Sequence, residues 1–255
     1  MPLSTSDMCI EVVKPATSTW ECALWQLVAP DDRGRVTLYV SHWWGMSFVQ
    51  VVAAIEAACA VEGGGLGAEE ERVYFCLVIN NQWEADAEEI PFEQLARRFT
   101  ASIRSASRVA AMGIPWHTPA ILRRAWCVYE LYLAAEMGKR VELCMPPEER
   151  ADFVRKLQWE LEKVVAHLSR VSIALAEASK ARDRQEIMAL VARTVGVAVL
   201  DARTVAVLRD ALADVAREAL RERPDDIILV DQLGVLLEMQ GRLEEAETLH
   251  RRALE

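Results

Sequence analysis

A chain of 255 residues, 52% of them hydrophobic, holds enough apolar material for one sizeable core with an appendage. Its 29 Lys and Arg against 39 Asp and Glu leave a net charge of −10, the wrong sign for gripping a phosphate backbone or an anionic lipid surface, which argues against nucleic acid and membrane as partners. No apolar run approaches the ~20 residues that span a bilayer, the start MPLSTSDMCIEVVKP lacks a basic stretch followed by an apolar one, and six cysteines without short paired spacing read as reduced thiols, so a soluble, unsecreted, cytoplasmic protein is expected.

Residues 1–35 read as a leader with one short helix, because Ser18 and Glu21 have capping-box spacing and Trp20, Leu24, Trp25 and Leu27 form an apolar stripe behind them. PDDRGR then breaks the chain. Five β-rich runs follow, VTLYVSH (36–42), RVYFCLVI (72–79), SRVAAMGI (107–114), RVELCM (140–145) and RVSIAL (170–175). Helical patterns separate and follow them at 48–60, 92–106, 119–137, from Pro147 to about Leu168, and 183–195. Alternation of this kind predicts an α/β fold over residues 36–196, a flavodoxin-like, doubly wound, five-stranded parallel sheet. The GGGLGAEEE segment has glycines but not the strand-then-helix context of a phosphate loop, and reads as a flexible connection. The remainder is helical: a connecting helix over 197–224, ending at Pro224, and then LGVLLEMQGRLEEAETLHRRALE. There Leu233, Gly234, Gly241, Ala246 and Ala253 fall at the offsets of a tetratricopeptide repeat, and residues 225–255 resemble one repeat of the kinesin light chain type. Leu237 stands where an aromatic is usual and His250 where another large residue is. One repeat cannot bury its own face, so this one either opens a longer array or packs on the helix before it.

Ligands of open parallel sheets bind beyond the carboxyl ends of the strands, where strand order reverses. Here the first three strands run into SHWWG (41–45), NNQW (80–83) and PWHTP (115–119), which together hold four of the eight tryptophans and two of the four histidines. Tryptophans in loops at one end of a sheet offer faces on which a planar ligand can stack; the plainer alternative is that Trp43, Trp44, Trp83 and Trp116 plug the top of the sheet. Glu130 lies four residues after Trp126 and three after Cys127, on their side of a helix that otherwise reads as core, so it lines a pocket or has a partner.

The layout is similar to a TIR domain over residues 36–196. AWCVYEL (125–131) resembles the Trp-Cys-x-x-Glu-Leu helix of that family, SIRSASRV the approach to its third strand, and RVELCMPPEERADFVRKL its fourth strand and the Pro-bearing loop. The paired tryptophans of SHWWG are unusual there and suggest a divergent branch. In TIR domains that cleave NAD the glutamate of this helix is the catalytic carboxylate, and it falls on Glu130. Breaking the ribose–nicotinamide bond develops oxocarbenium character, which a carboxylate of ordinary pKa stabilises. The resemblance implies NAD, or a related nucleotide, as substrate and no resident cofactor or metal. Ser41 and His42 would line the site, with Trp43, Trp44, Trp116 and Trp126 around it and Asn80 and Asn81 hydrogen bonding ribose or amide. It also implies self-association through the TIR-like domain, with a protein partner on the repeat. EADAEEIP (84–91) occupies the position of a family loop used in self-association and gating, although acidic runs of this kind are most often solvated surface.

Two other classes are weighed beside this one: a catalytically silent TIR-like interaction module, and a nucleotide-processing α/β enzyme sharing only the layout. Glu130 could also pair with Arg123 or Arg124, and Cys127, imagined as a nucleophile with His42 or His117, fits a packing thiol better. An enzyme requires Glu130 on an open pocket with a tryptophan face exposed. A silent module permits Glu130 to be sealed behind SHWWG and Trp116.

Overall fold

The computed structural model describes residues 2–60, 71–86 and 90–254. Most of GGGLGAEEE and the centre of EADAEEIP lie outside the described residues. The chain is an α/β protein built on one parallel sheet of four strands, β1 (Leu38–Ser41), β2 (Val73–Tyr74), β3 (Arg108–Met112) and β4 (Arg140–Cys144), in the order β2-β1-β3-β4. These are the first four places of the doubly wound order 2-1-3-4-5, and the order reverses between β1 and β3. Every residue of β1 and β3 is buried, as expected for central strands covered on both faces. The helices are α1 (Phe48–Ala60), α2 (Phe92–Ser105), α3 (Ala125–Glu136), α4 (Pro147–Trp159), α5 (Leu161–Leu168), α6 (Ala181–Arg193), α7 (Val197–Glu222), α8 (Ile227–Met239) and α9 (Leu243–Leu254). Among the described residues no helix is long and apolar enough to cross a membrane.

Three expectations are corrected. No strand forms at 170–175: residues 173–175 are a turn, with Ile173 N bonded to Asp201 Oδ1 and the Ala174 and Ala176 carbonyls taken by Arg184. Val171 and Ile173 still bury their side chains, but Leu175 is exposed, so the alternation anchors a loop and the sheet has four strands, not five. The 72–79 run pairs over two residues only, then coils into a helical turn at Cys76–Ile79 whose Cys76 and Leu77 carbonyls accept from the buried amide of Gln82. Finally, the N-terminal helix lies before Ser18, as three consecutive helical stretches, Thr5–Met8, Cys9–Val13 and Lys14–Thr17. Its start is capped by Ser4, which accepts from Asp7 N at 3.1 Å while Asp7 accepts from Ser4 N at 2.8 Å. Glu21, the residue expected to close a capping box with Ser18, sits in a turn at φ 44°, and Trp20 and Trp25 remain exposed.

The C-terminal helices form one stack. The long helix α7 packs on β4 and α3, and ion pairs from Arg140 to Asp214 and from Arg150 to Glu222 tie it there. α8 packs in turn on α7 and α4, burying Leu229, Leu233, Leu236 and Leu237, so the hairpin uses the preceding helix to cover its apolar face. The α8–α9 turn passes through Gly241 at φ +76°, a conformation that favours glycine. Gly234 is required by a close approach: a Cβ there would meet the His250 ring at 2.6 Å.

Candidate functional site

Strand β1 ends at the reversal point, and its period-2 alternation puts Tyr39 and Ser41 on one face. Helix α3 lies over that face and brings Glu130 to both. Tyr39 Oη donates to Glu130 Oε1 at 2.8 Å and Ser41 Oγ donates to Oε2 at 2.6 Å, so each carboxylate oxygen holds one hydroxyl. Glu130 is 7% exposed. Among the described residues it forms no ion pair. Burial therefore dominates, and despite the two hydrogen bonds it pushes the Glu130 carboxyl up from 4.5 to about 7. This differs from the ordinary acidity expected from sequence. Tyr39 stacks on Tyr74 with ring centroids 4.7 Å apart, and burial beside Glu130 holds its phenol far above the usual range.

The loop after β1 runs beside this acid. His42 is buried against Phe75, and burial lowers its imidazole from 6.5 to about 3, so it is neutral, with Nε2 lacking a hydrogen-bond partner among the described residues. Cys127, on α3, donates to the His42 carbonyl at 3.4 Å, while Trp44 Nε1 donates to Cys76 Sγ at 3.1 Å. Both thiols are raised by burial and by the charge on Glu130, Cys76 to about 12, which makes them packing groups rather than nucleophiles. Trp43 turns outward, 36% exposed, with its ring folded over Gly45 and the Arg124 guanidinium 5.9 Å from the ring.

The other expected residues are committed elsewhere. Asn80 accepts from Tyr74 Oη at 2.9 Å, and Asn81 donates to the Glu21 carbonyl at 2.8 Å. Trp116 donates to Asp152 at 2.8 Å and packs on Phe153. Trp126, although on α3, donates to Asp183 at 3.0 Å and lies between Phe92 and Phe99 of α2. Trp116 and Trp126 thus serve as packing for loops and helices. Two clefts lie away from Glu130, one of about 60 Å³ between α1, β4 and α7, and one of about 300 Å³ on the α8–α9 hairpin. Among the described residues no three His, Cys, Asp or Glu side chains are grouped to hold a metal ion.

The structure therefore joins Ser41, His42, Trp44 and Glu130 in one cluster with Cys127, weighed from sequence as a packing thiol, and adds Tyr39 and Cys76, which sequence reasoning missed as members. Tyr39 was findable, because a residue two before Ser41 on a strand must share its face. Of the two conditions set for an enzyme, an exposed tryptophan face is met by Trp43, and an open pocket on Glu130 is not. Comparison with family models, curated proteins and solved structures gives no match for this chain.

Proposed function

We propose that this chain is a TIR-like domain that cleaves NAD between ribose and nicotinamide, held in a closed state, and that its α8–α9 hairpin acts as a tetratricopeptide-like mount for a protein partner. The observation that carries the reading is a carboxyl group, buried without a cation, at the carboxyl end of the strands where the sheet order reverses. A buried acid held only by hydroxyls costs the fold stability, and such groups cluster at functional sites. Glu130 is the catalytic carboxylate: ionised, it would face the oxocarbenium developing at the ribose, with Ser41 and Tyr39 positioning it. Nicotinamide departs with the bonding electrons and is neutral once released, so no strong acid is needed, and the ribose cation is then captured by water, which loses a proton, or by the substrate's own adenine, as in a glycohydrolase or a cyclase. Trp43 would stack a base or nicotinamide ring at the mouth, and the neutral His42 Nε2 would accept from a ribose hydroxyl. Clustering of two copies through the TIR-like domain is the event expected to open the loop over residues 42–47.

A second reading has its own support. With Glu130 7% exposed and both oxygens engaged, the same cluster suits a catalytically silent interaction module. The readings separate in one assay: nicotinamide release from NAD by the full chain at high protein concentration, beside Glu130→Ala. Release that disappears in the variant supports the enzyme, and equal silence from two folded, self-associating chains supports the module.

A further inference from the structure

The N-terminal residues, expected to be a leader, are docked on the loop after β1, whose His42 carbonyl is held by Cys127, three residues before Glu130 on the same helix. Ser4 pairs with Ser47 as an antiparallel bridge, with Thr5 N donating to Met46 O and Phe48 N to Leu3 O, each at 2.9 Å, and Ser6 N donating to Trp44 O at 2.9 Å. The Trp44 and Met46 carbonyls are thus held by the N-terminal segment rather than by the sheet. Further along, Thr17 accepts from Trp83 Nε1 at 2.9 Å, and Lys14 stands 5.3 Å over the same ring. Glu21 O then accepts from Asn81 at 2.8 Å, so the segment spans the loops after both β1 and β2. Its inward face is apolar and buried, with Cys9 and Val13 in the core beside the Cys76 turn, while Ile10 and Val12 face outward, exposed.

We propose that residues 3–21 are an autoinhibitory strap, which keeps the loop over residues 42–47 shut on Glu130 and must undock for substrate to reach it. This inference rests on the NAD-cleaving reading for what the opened site does. Two observations besides the contacts mark the docked state as releasable. Thr5 Oγ1 on the strap and His42 Nε2 in the loop are both buried without a hydrogen-bond partner among the described residues, a cost that opening to water or ligand removes. The strap's middle, Cys9–Val13, is a π-helical turn, with Lys14 N bonded to Cys9 O, followed at once by Pro15. Such a helix has little stability of its own and is maintained by docking, so release and melting of the strap occur together.

The test uses the full chain in two variants. Val13→Asp places an acid in the buried strap face. Ser4→Cys with Ser47→Cys lets the strap be locked by a disulfide, which suits this bridge because its backbone bonds flank the pair and leave the side chains close. Residue-resolved alkylation of Cys127 reports opening independently of NAD, and nicotinamide release is measured alongside. The strap predicts Cys127 labelling about tenfold faster in Val13→Asp, since burying an acid costs more than the 1.4 kcal/mol worth a factor of ten. It predicts labelling slower than in the natural chain when the disulfide is closed, restored by reduction. If Val13→Asp fails to fold, the locked and reduced forms decide. Identical labelling in locked and reduced protein overturns the strap, whatever the NAD result. Labelling that follows the strap while no form releases nicotinamide keeps the strap and removes the NAD-cleaving reading.

Discussion

The two ends of the sheet give their acids different partners. At the amino end, Arg108 begins β3 and lies between two carboxylates, Glu71 at 2.8 Å and Glu142 of the neighbouring strand, with Thr37 also donating to Glu71. Burial pushes both acids up; at Glu71 the bonds from Thr37 and Arg108 prevail and leave it below the usual carboxylate range, while Glu142 stays raised despite Arg108. At the carboxyl end, Glu130 is more deeply buried, with only Tyr39 and Ser41 as partners, and burial wins. One end is closed electrostatically and fixes the sheet against α1 and the segment before β2. The other retains a group that titrates near neutrality, and it is there that loops, strap and exposed Trp43 converge. A charge neutralised in place reads as architecture, and one left without its counter-ion reads as chemistry.

Breaking the amino end should have the larger effect. Arg108→Met leaves two buried carboxylates without their shared cation, and the expected loss is about 3–5 kcal/mol at pH 7, read by chemical denaturation. At the carboxyl end the effect depends on pH. Because the folded-state pKa of Glu130 lies above its ordinary 4.5, at about 7, the native protein keeps a proton that the unfolded chain loses across that window. Stability therefore falls as pH rises from about 4.5 to 7, by about 3 kcal/mol in all from this group. Glu130→Gln should remove that slope, gaining on the natural chain at pH 8 and losing the advantage near pH 4.5. Tyr39→Phe sharpens the contrast: the ionised carboxylate loses one of its two donors, so the Glu130 midpoint moves further up and stability at pH 8 drops by about 2 kcal/mol, with a smaller loss at pH 5. Trp43→Ala should change stability by less than about 0.5 kcal/mol, since the ring is outside the core, while slowing nicotinamide release if stacking at the mouth is its role.

How much of this was legible in the sequence follows from what each signal measures. The runs that became β1 and β3 are largely apolar on both faces because central parallel strands are buried on both faces, whereas β4, at the sheet edge, alternates, with Arg140 exposed and Glu142 half-buried. RVYFCLVI carries the same composition at the sheet edge, where Gln82 supplies a competing set of hydrogen bonds and only Val73 and Tyr74 pair. RVSIAL alternates correctly, yet Asp201 and Arg184, far along the chain, capture its backbone groups. Glu130 stood out as an acid in a core helix, which located the site. What partnered it did not, because a hydroxyl is compatible with almost any environment and only the strand period ties Tyr39 to Ser41. The tryptophans misled in part: Trp116, in a loop, and Trp126, on α3, satisfy their indole N–H on Asp152 and Asp183, acids of α4 and α6 that no local pattern connects to them. The strap was hidden for a related reason, since the S-x-x-E spacing at Ser18 was visible while its true cap uses Asp7.

The most direct test of the account is the titration of Glu130 itself, followed by carboxyl carbon NMR in the natural chain and assigned by the signal missing from Glu130→Gln. A midpoint near pH 7 is predicted for an acid buried with two hydroxyls and no cation. A midpoint in the ordinary carboxylate range, near 4.5, would mean that water or a positive charge reaches Glu130 in the resting protein, and would contradict both the sealed site and the contrast between the two ends of the sheet.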